Sequence, residues 1–185
     1  MGRKHIDRRV FLRNATLASL SLTGGARAGA AAGAGSQPRS LSLIHTHTGE
    51  RLTATYSDVN GYVPEALGRI NRFLRDFRTE AVHPIDVRTL DILHDLQVMT
   101  GHEAPYEIIS GYRSPQTNAA LRRNSTGVAE HSFHMQGRAV DVRLAGFSTG
   151  QLHALARSMG RGGVGFYPRS DFIHLDTGRV RQWVS

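Results

Sequence analysis

The chain has 185 residues, 39% hydrophobic and 21% charged, which excludes wholesale disorder and fits one globular core. No apolar run reaches the roughly 20 residues that span a bilayer. The absence of cysteine excludes a disulfide framework, a thiolate metal site and a thiol nucleophile. The net charge of +8 is gathered at the front, where Arg3, Lys4, Arg8, Arg9, Arg13 and Arg27 face one acid, Asp7, so residues 29–185 carry only +3. That remainder suits an anionic polymer and, with no stripe of alternating basic and aromatic residues, argues against a nucleic-acid partner.

Asp7-Arg8-Arg9-Val10-Phe11-Leu12-Arg13 resembles the twin-arginine export motif, followed by a weakly apolar stretch from Ala15 to Leu22 and an A-x-A cleavage site at Ala26-Arg27-Ala28. Residues 1–28 are therefore expected to be a twin-arginine signal peptide delivering a folded protein to a bacterial periplasm, with no membrane span after processing. Residues 29–40, rich in Ala, Gly and Ser, read as a flexible leader, and 41–185 as one catalytic domain.

Alternation on both sides of Thr48-Gly49-Glu50 predicts a β-hairpin from Leu41 to Tyr56. Leu67, Ile70, Phe73, Leu74 and Phe77 predict a helix from Pro64 to Phe77. A second helix is expected from Asp86, its cap, to Met99, stopped by Gly101. Next come a strand at Tyr106–Ser110, a short helix from Ser114-Pro115 to Leu121, a strand at Arg138–Leu144 and a helix capped by Ser148. Two closing strands fall at 161–167 and 172–176. The expected class is α+β, a mainly antiparallel sheet with helices packed on it.

Chemistry must come from the ten histidines and the acids. His134 and Asp141 are seven apart across Gly137, which lets the loop fold His134 back over the strand bearing Asp141. Strand parity turns Val140, Val142 and Leu144 to the core and Asp141 the other way. His174 likewise alternates with Ile173 and Leu175, so two imidazoles and a carboxylate can make a three-ligand zinc set with a fourth position for water. His45 and His47 read as a solvated hairpin face rather than an adventitious metal pair, and His131, beside the site, as either a loop polar residue or a substrate contact. His83, His94, His102 and His153 show no partner pattern.

Ser110-Gly111-Tyr112-Arg113-Ser114-Pro115, Ser125-x-Gly127-Val128-Ala129, Ser132-x-His134-x-x-Gly137-x-Ala139-x-Asp141, Gly162-Gly163-Val164-Gly165-Phe166-Tyr167-Pro168 and Phe172-Ile173-His174-Leu175-Asp176-Thr177-Gly178 together resemble the M15 zinc peptidases, in their murein endopeptidase K-like branch. The resemblance covers essentially all of the chain from Leu41. It implies the fold of D-Ala-D-Ala carboxypeptidases and Hedgehog-like domains, and a metallopeptidase, one Zn2+ per chain, that hydrolyses amide bonds in the peptidoglycan stem peptides of cell-wall cross-links. It also implies that His134, Asp141 and His174 are the metal ligands, that Arg113 pairs with a substrate carboxylate, and that Ser132 contacts substrate or steadies the ligands. For the base, the family's acid three residues before the last ligand corresponds to Asp171, slightly favoured, while strand parity puts Asp176 on the face of His174; both stand as catalytic candidates. The alternative to an enzyme is an inactive peptidoglycan-binding module that keeps the metal site. The chain is expected to act as a monomer.

Overall fold

The structure, a computed structural model, describes residues 37–124 and 127–185. The twin-arginine motif, the cleavage site, the leader as far as residue 36 and Ser125 lie outside the described residues. Strand β1 (Arg39–His45) starts two residues inside the stretch read as leader and pairs antiparallel with β2 (Arg51–Asp58), giving the expected hairpin. A two-residue strand, β3 (Gly61–Tyr62), extends it.

Helix α1 (Pro64–Phe73) opens with proline in its first turn and ends four residues before the periodicity suggests. Leu74 still packs fully buried, so the apolar spacing there reports core contact rather than helix. Beyond it the backbone bonds change partner. The Leu74 carbonyl accepts from the Tyr112 N–H at 2.7 Å, Asp76 pairs with Ala81, and the Asp76 carboxylate accepts from Arg78 N–H and Ser114 N–H. Phe77 stacks on His47 at 4.3 Å.

Helix α2 (Val87–Thr100) has the expected ends: the Asp86 side chain accepts from Arg88 N–H, and Gly101 closes it at φ 61°. Strand β4 (Tyr106–Ser110), α3 (Pro115–Asn124), a 3-10 turn at Phe133–Gln136, β5 (Ala139–Leu144) and α4 (Thr149–Ser158) follow. Strands β6 (Gly163–Tyr167), β7 (Phe172–Asp176) and β8 (Arg181–Val184) complete the chain. No helix among the described residues is long and apolar enough to cross a membrane.

The eight strands form one sheet in the order β3-β2-β1-β4-β5-β7-β6-β8. It is mostly antiparallel, as expected, but two pairs are parallel, β1 with β4 and β6 with β8. The first arises because the chain between β1 and β4 runs through two helices, long enough for the crossover a parallel pair requires. Helices α2 and α4 supply Leu90, Leu93, Leu96, Leu152 and Ala156 to a core with Val140, Val142, Val164, Ile173 and Leu175. The opposite faces of β5 and β7 are thereby left for polar residues.

Candidate active site

Asp141 and His174 are direct cross-strand partners at the centre of the β5–β7 pair. His134 reaches them from the 3-10 turn, which Ser132 caps, its hydroxyl accepting from the His134 N–H at 3.3 Å. The turn ends at Gly137, φ 64°, where a Cβ would lie 2.1 Å from the Pro84 carbonyl. Glycine is what lets the chain double back here.

The ligand atoms converge closely. His174 Nδ1 lies 2.8 Å from Asp141 Oδ1, and His134 Nε2 lies 3.2 Å from each of them. The remaining ring nitrogens are held from behind: His134 Nδ1 donates to the Gly111 carbonyl at 2.8 Å, and His174 Nε2 donates to Asp176 Oδ2 at 3.0 Å. A carbonyl only accepts, and the Asp176 carboxyl is held well below the usual range, since burial alone would raise it but His174 and Arg181 outweigh that. Both protons therefore sit on the outer nitrogens. Two imine lone pairs and one carboxylate oxygen then face one another across a few ångströms, a donor set that fits a divalent cation with its outer partners already in place.

The electrostatics follow the same geometry. Burial alone would raise the Asp141 carboxyl, but the His134 and His174 rings hold it far below the ordinary carboxylate range. Burial lowers His134. Burial also works against His174, yet its hydrogen bonds to Asp141 and Asp176 prevail and push it up to about 9.

These three residues lie in a cavity of about 650 Å³ that Arg113, Ser132, His131, Tyr167, Phe172, Arg181 and Trp183 also line. Arg113 is largely buried, with one terminal nitrogen 3.8 Å from Asp141 Oδ2 and its Nε unpartnered among the described residues. A guanidinium held so, with donors to spare, is suited to a carboxylate.

The structure separates the two candidate bases from this cavity. Asp171 sits in the turn before β7 at φ 52°, with its side chain 64% exposed. It accepts from Thr149 Oγ1 at 2.5 Å, at the first turn of α4, and lies 3.7 Å from Arg143. Asp171 precedes the strand whose alternation brings Phe172 and His174 to the cavity, and it is not among the residues that line it. Asp176 is fully buried, and both of its oxygens are occupied: Oδ1 accepts from Gly163 N–H, Gly178 N–H and Arg181, and Oδ2 from His174 and Arg181. It reaches the site only through His174.

The other histidines divide. His45 is buried, not solvated as expected, edge-on to Phe73 and Phe77, and its Nδ1 accepts from the N–H groups of His47 and Thr48. His83 stacks on Tyr112 and His153 on Phe166, while His102 bonds to the Ala145 carbonyl. Sequence reasoning missed Tyr167, Arg181 and Trp183 as cavity residues. Tyr167 falls inside a quoted motif. Arg181 and Trp183 lie on a four-residue edge strand too short to announce itself.

A family model described as peptidoglycan L,D-endopeptidase MepK, of the peptidase M15_2 type, matches residues 33–183. The chain is 44% identical over 147 residues to the peptidoglycan L,D-endopeptidase MepK of Escherichia coli (strain K12), covering 80% of this chain and 81% of that protein. The protein of that name from Shigella flexneri gives the same figures. The probable peptidoglycan L,D-endopeptidase MepK of Haemophilus influenzae is 43% identical over 148 residues, covering 80% of each. A match that runs from ahead of β1 into β8 takes in every strand and helix described above, and the chain belongs to the peptidase M15_2 family.

Proposed function

We propose that this protein is a zinc-dependent peptidoglycan L,D-endopeptidase that hydrolyses the amide joining an L to a D centre in the peptide cross-links of the cell wall. The observation that carries the reading is the convergence of His134 Nε2, His174 Nδ1 and Asp141 Oδ1, with both imidazoles fixed from behind, at a cavity that also presents Arg113. His134, Asp141 and His174 would hold the zinc ion, which would supply Lewis-acid activation of the scissile carbonyl and of the attacking water. The Gly111 carbonyl and the Asp176 carboxylate keep the two imidazoles in the tautomers that face the metal. Arg113 grips a free carboxylate of the stem peptide and so sets the scissile bond over the ligand cluster. Ser132 caps the turn that carries His134 and steadies that ligand.

With Asp171 turned to Thr149 and Asp176 engaged on every side, neither is the proton acceptor in this reading. His131 lines the cavity without belonging to the ligand cluster, and its imidazole is suited to take the proton from water and pass it to the leaving amine. The protein works in the periplasm, reached through the twin-arginine motif at Arg8-Arg9. Lysine at both positions would keep it in the cytoplasm, and normal periplasmic yield of that variant would refute this route.

The deciding experiment is digestion of purified muropeptide dimers with and without chelator, products identified by mass. Dimers linked between two diaminopimelates should be cleaved and those linked through D-alanine spared, with activity lost to chelator and restored by zinc. Binding to sacculi without any cleavage would make the protein an inactive wall-binding module instead.

A further inference from the structure

Tyr167 ends strand β6, and its ring is fixed on two sides. It stacks on Phe172, its cross-strand partner, at 4.5 Å between centroids and 14° between planes. Its oxygen is met by Trp183, whose indole Nε1 donates to it at 3.0 Å. An indole N–H can only donate, so the phenol oxygen is the acceptor in that bond and its own proton must point elsewhere. Among the described residues it has no acceptor, and the cavity that Tyr167 lines with His134, Asp141, His174 and Arg113 is where a substrate would provide one.

Trp183 is seated for this task. It pairs in register with Gly165 across the parallel β6–β8 pair, and a Cβ on Gly165 would lie 2.5 Å from the indole. The missing side chain lets the indole lie flat against β6, its ring 5.3 Å from that of His174. The hydroxyl is therefore held ready by packing on one side and a hydrogen bond on the other. A tyrosine serving only as wall would need the stacking alone, which phenylalanine supplies equally well.

Resting on the peptidase reading above, we propose that Tyr167 is a further catalytic residue, whose hydroxyl donates a hydrogen bond to the scissile carbonyl oxygen as that oxygen gains negative charge. No bond to the tyrosine forms and its proton stays on the phenol; the charge is stabilised by a donor already in position, so no reorganisation is required as the charge develops. Trp183 is the positioning residue, acting through Tyr167.

The test uses the zinc-loaded protein and two readouts, hydrolysis of the cleavable muropeptide dimer and binding of a phosphinate analogue of its scissile amide by calorimetry. Tyr167→Phe should keep zinc content and KM, lose about 10²-fold in kcat as expected for one oxyanion donor, and bind the phosphinate more weakly by a similar factor. Its affinity for the uncleaved peptide should be unchanged. Trp183→Phe, which keeps an aromatic wall but removes the N–H, should show a smaller loss in the same two quantities. Wild-type kcat and phosphinate affinity in Tyr167→Phe would overturn the proposal, as would equal weakening of phosphinate and peptide, the mark of a merely structural wall. Failure of the wild type to cleave any dimer overturns the peptidase reading itself, and this inference with it.

Discussion

Asp176 lies two residues after His174 on the same strand and accepts that ring's Nε2 proton at 3.0 Å, so the orientation of one candidate ligand is set by its near neighbour in sequence. Arg181 anchors the carboxylate in turn, one terminal nitrogen to each oxygen, at 2.9 and 2.6 Å. The imidazole thus rests on a charge that is itself pinned, and rotation of the ring away from Asp141 would break the whole chain of bonds.

Exchange of the two acids near His174 should therefore have opposite outcomes. Asp176→Asn removes the negative charge behind the ring and should weaken zinc binding about 10–100-fold, the range seen when such outer partners are lost. Asp171→Asn should keep both metal affinity and turnover near wild type, because its carboxylate faces Thr149 and Arg143. Chelator competition and dimer hydrolysis on both variants check this. A metal-replete Asp171→Asn protein without turnover would restore Asp171 as the base.

Elemental analysis should find one zinc per wild-type chain and almost none in His134→Ala. His131→Gln should retain the metal and lose turnover by about 10²-fold or more, as general-base removal does.

The pH response of the metal-free protein is set by His174, raised in the folded chain to about 9 from 6.5. Since the folded value exceeds the unfolded one, the stability that this proton provides is complete below about pH 6.5 and is lost as pH rises through about 9. Zinc competes with the same proton, so apparent zinc affinity should rise over that interval while metal-free stability falls. Thermal unfolding with chelator and zinc titrations, both run from pH 6 to about 9.5, should move in these opposite directions.

Gly137→Ala should destabilise the fold by about 1–3 kcal/mol from backbone strain, with more from the 2.1 Å approach of the new Cβ to the Pro84 carbonyl, and should weaken zinc binding by shifting His134. Gly49→Ala is the control. Its φ of 72° carries the same strain, but no atom lies within 4 Å of the added carbon, so it should cost less and leave zinc affinity alone. Denaturant midpoints and zinc titrations on the pair separate the two effects.

What was legible in the sequence was local. Asp86 and Gly101 bracket α2 because a cap and a left-handed stop act within one turn of the residues they serve. The meeting of His134, Asp141 and His174 was legible because period-2 parity needs no tertiary knowledge once Gly137 is seen to break the run. For Asp171, parity pointed away from His174 and only the spacing of the motif favoured it. Motif spacing places a residue in sequence but carries no dihedral, and a φ of 52° in a turn decides where that carboxylate goes. His45 was misread for a different reason: Phe73 and Phe77, which cover it, come from another element. The same holds for the parallel pairs and for β8, whose Arg-Gln-Trp-Val shows no apolar alternation.

The early stop of α1 places a competition at one atom. If the helix ran on, the Leu74 carbonyl would take the N–H of Arg78; instead it takes that of Tyr112, beside the Gly111 that orients His134 and the Arg113 proposed to meet substrate. A Cβ on Gly111 would lie 2.5 Å from that same carbonyl oxygen, so the two segments have no room to part and rejoin in another way. Substitutions at residues 75–78 that favour helix, an ordinary route to a sturdier protein, would here recruit that oxygen into the helix and release the loop on which the ligand geometry depends. Making the first helix one turn longer should therefore disturb the ligand geometry without a substitution in the site itself.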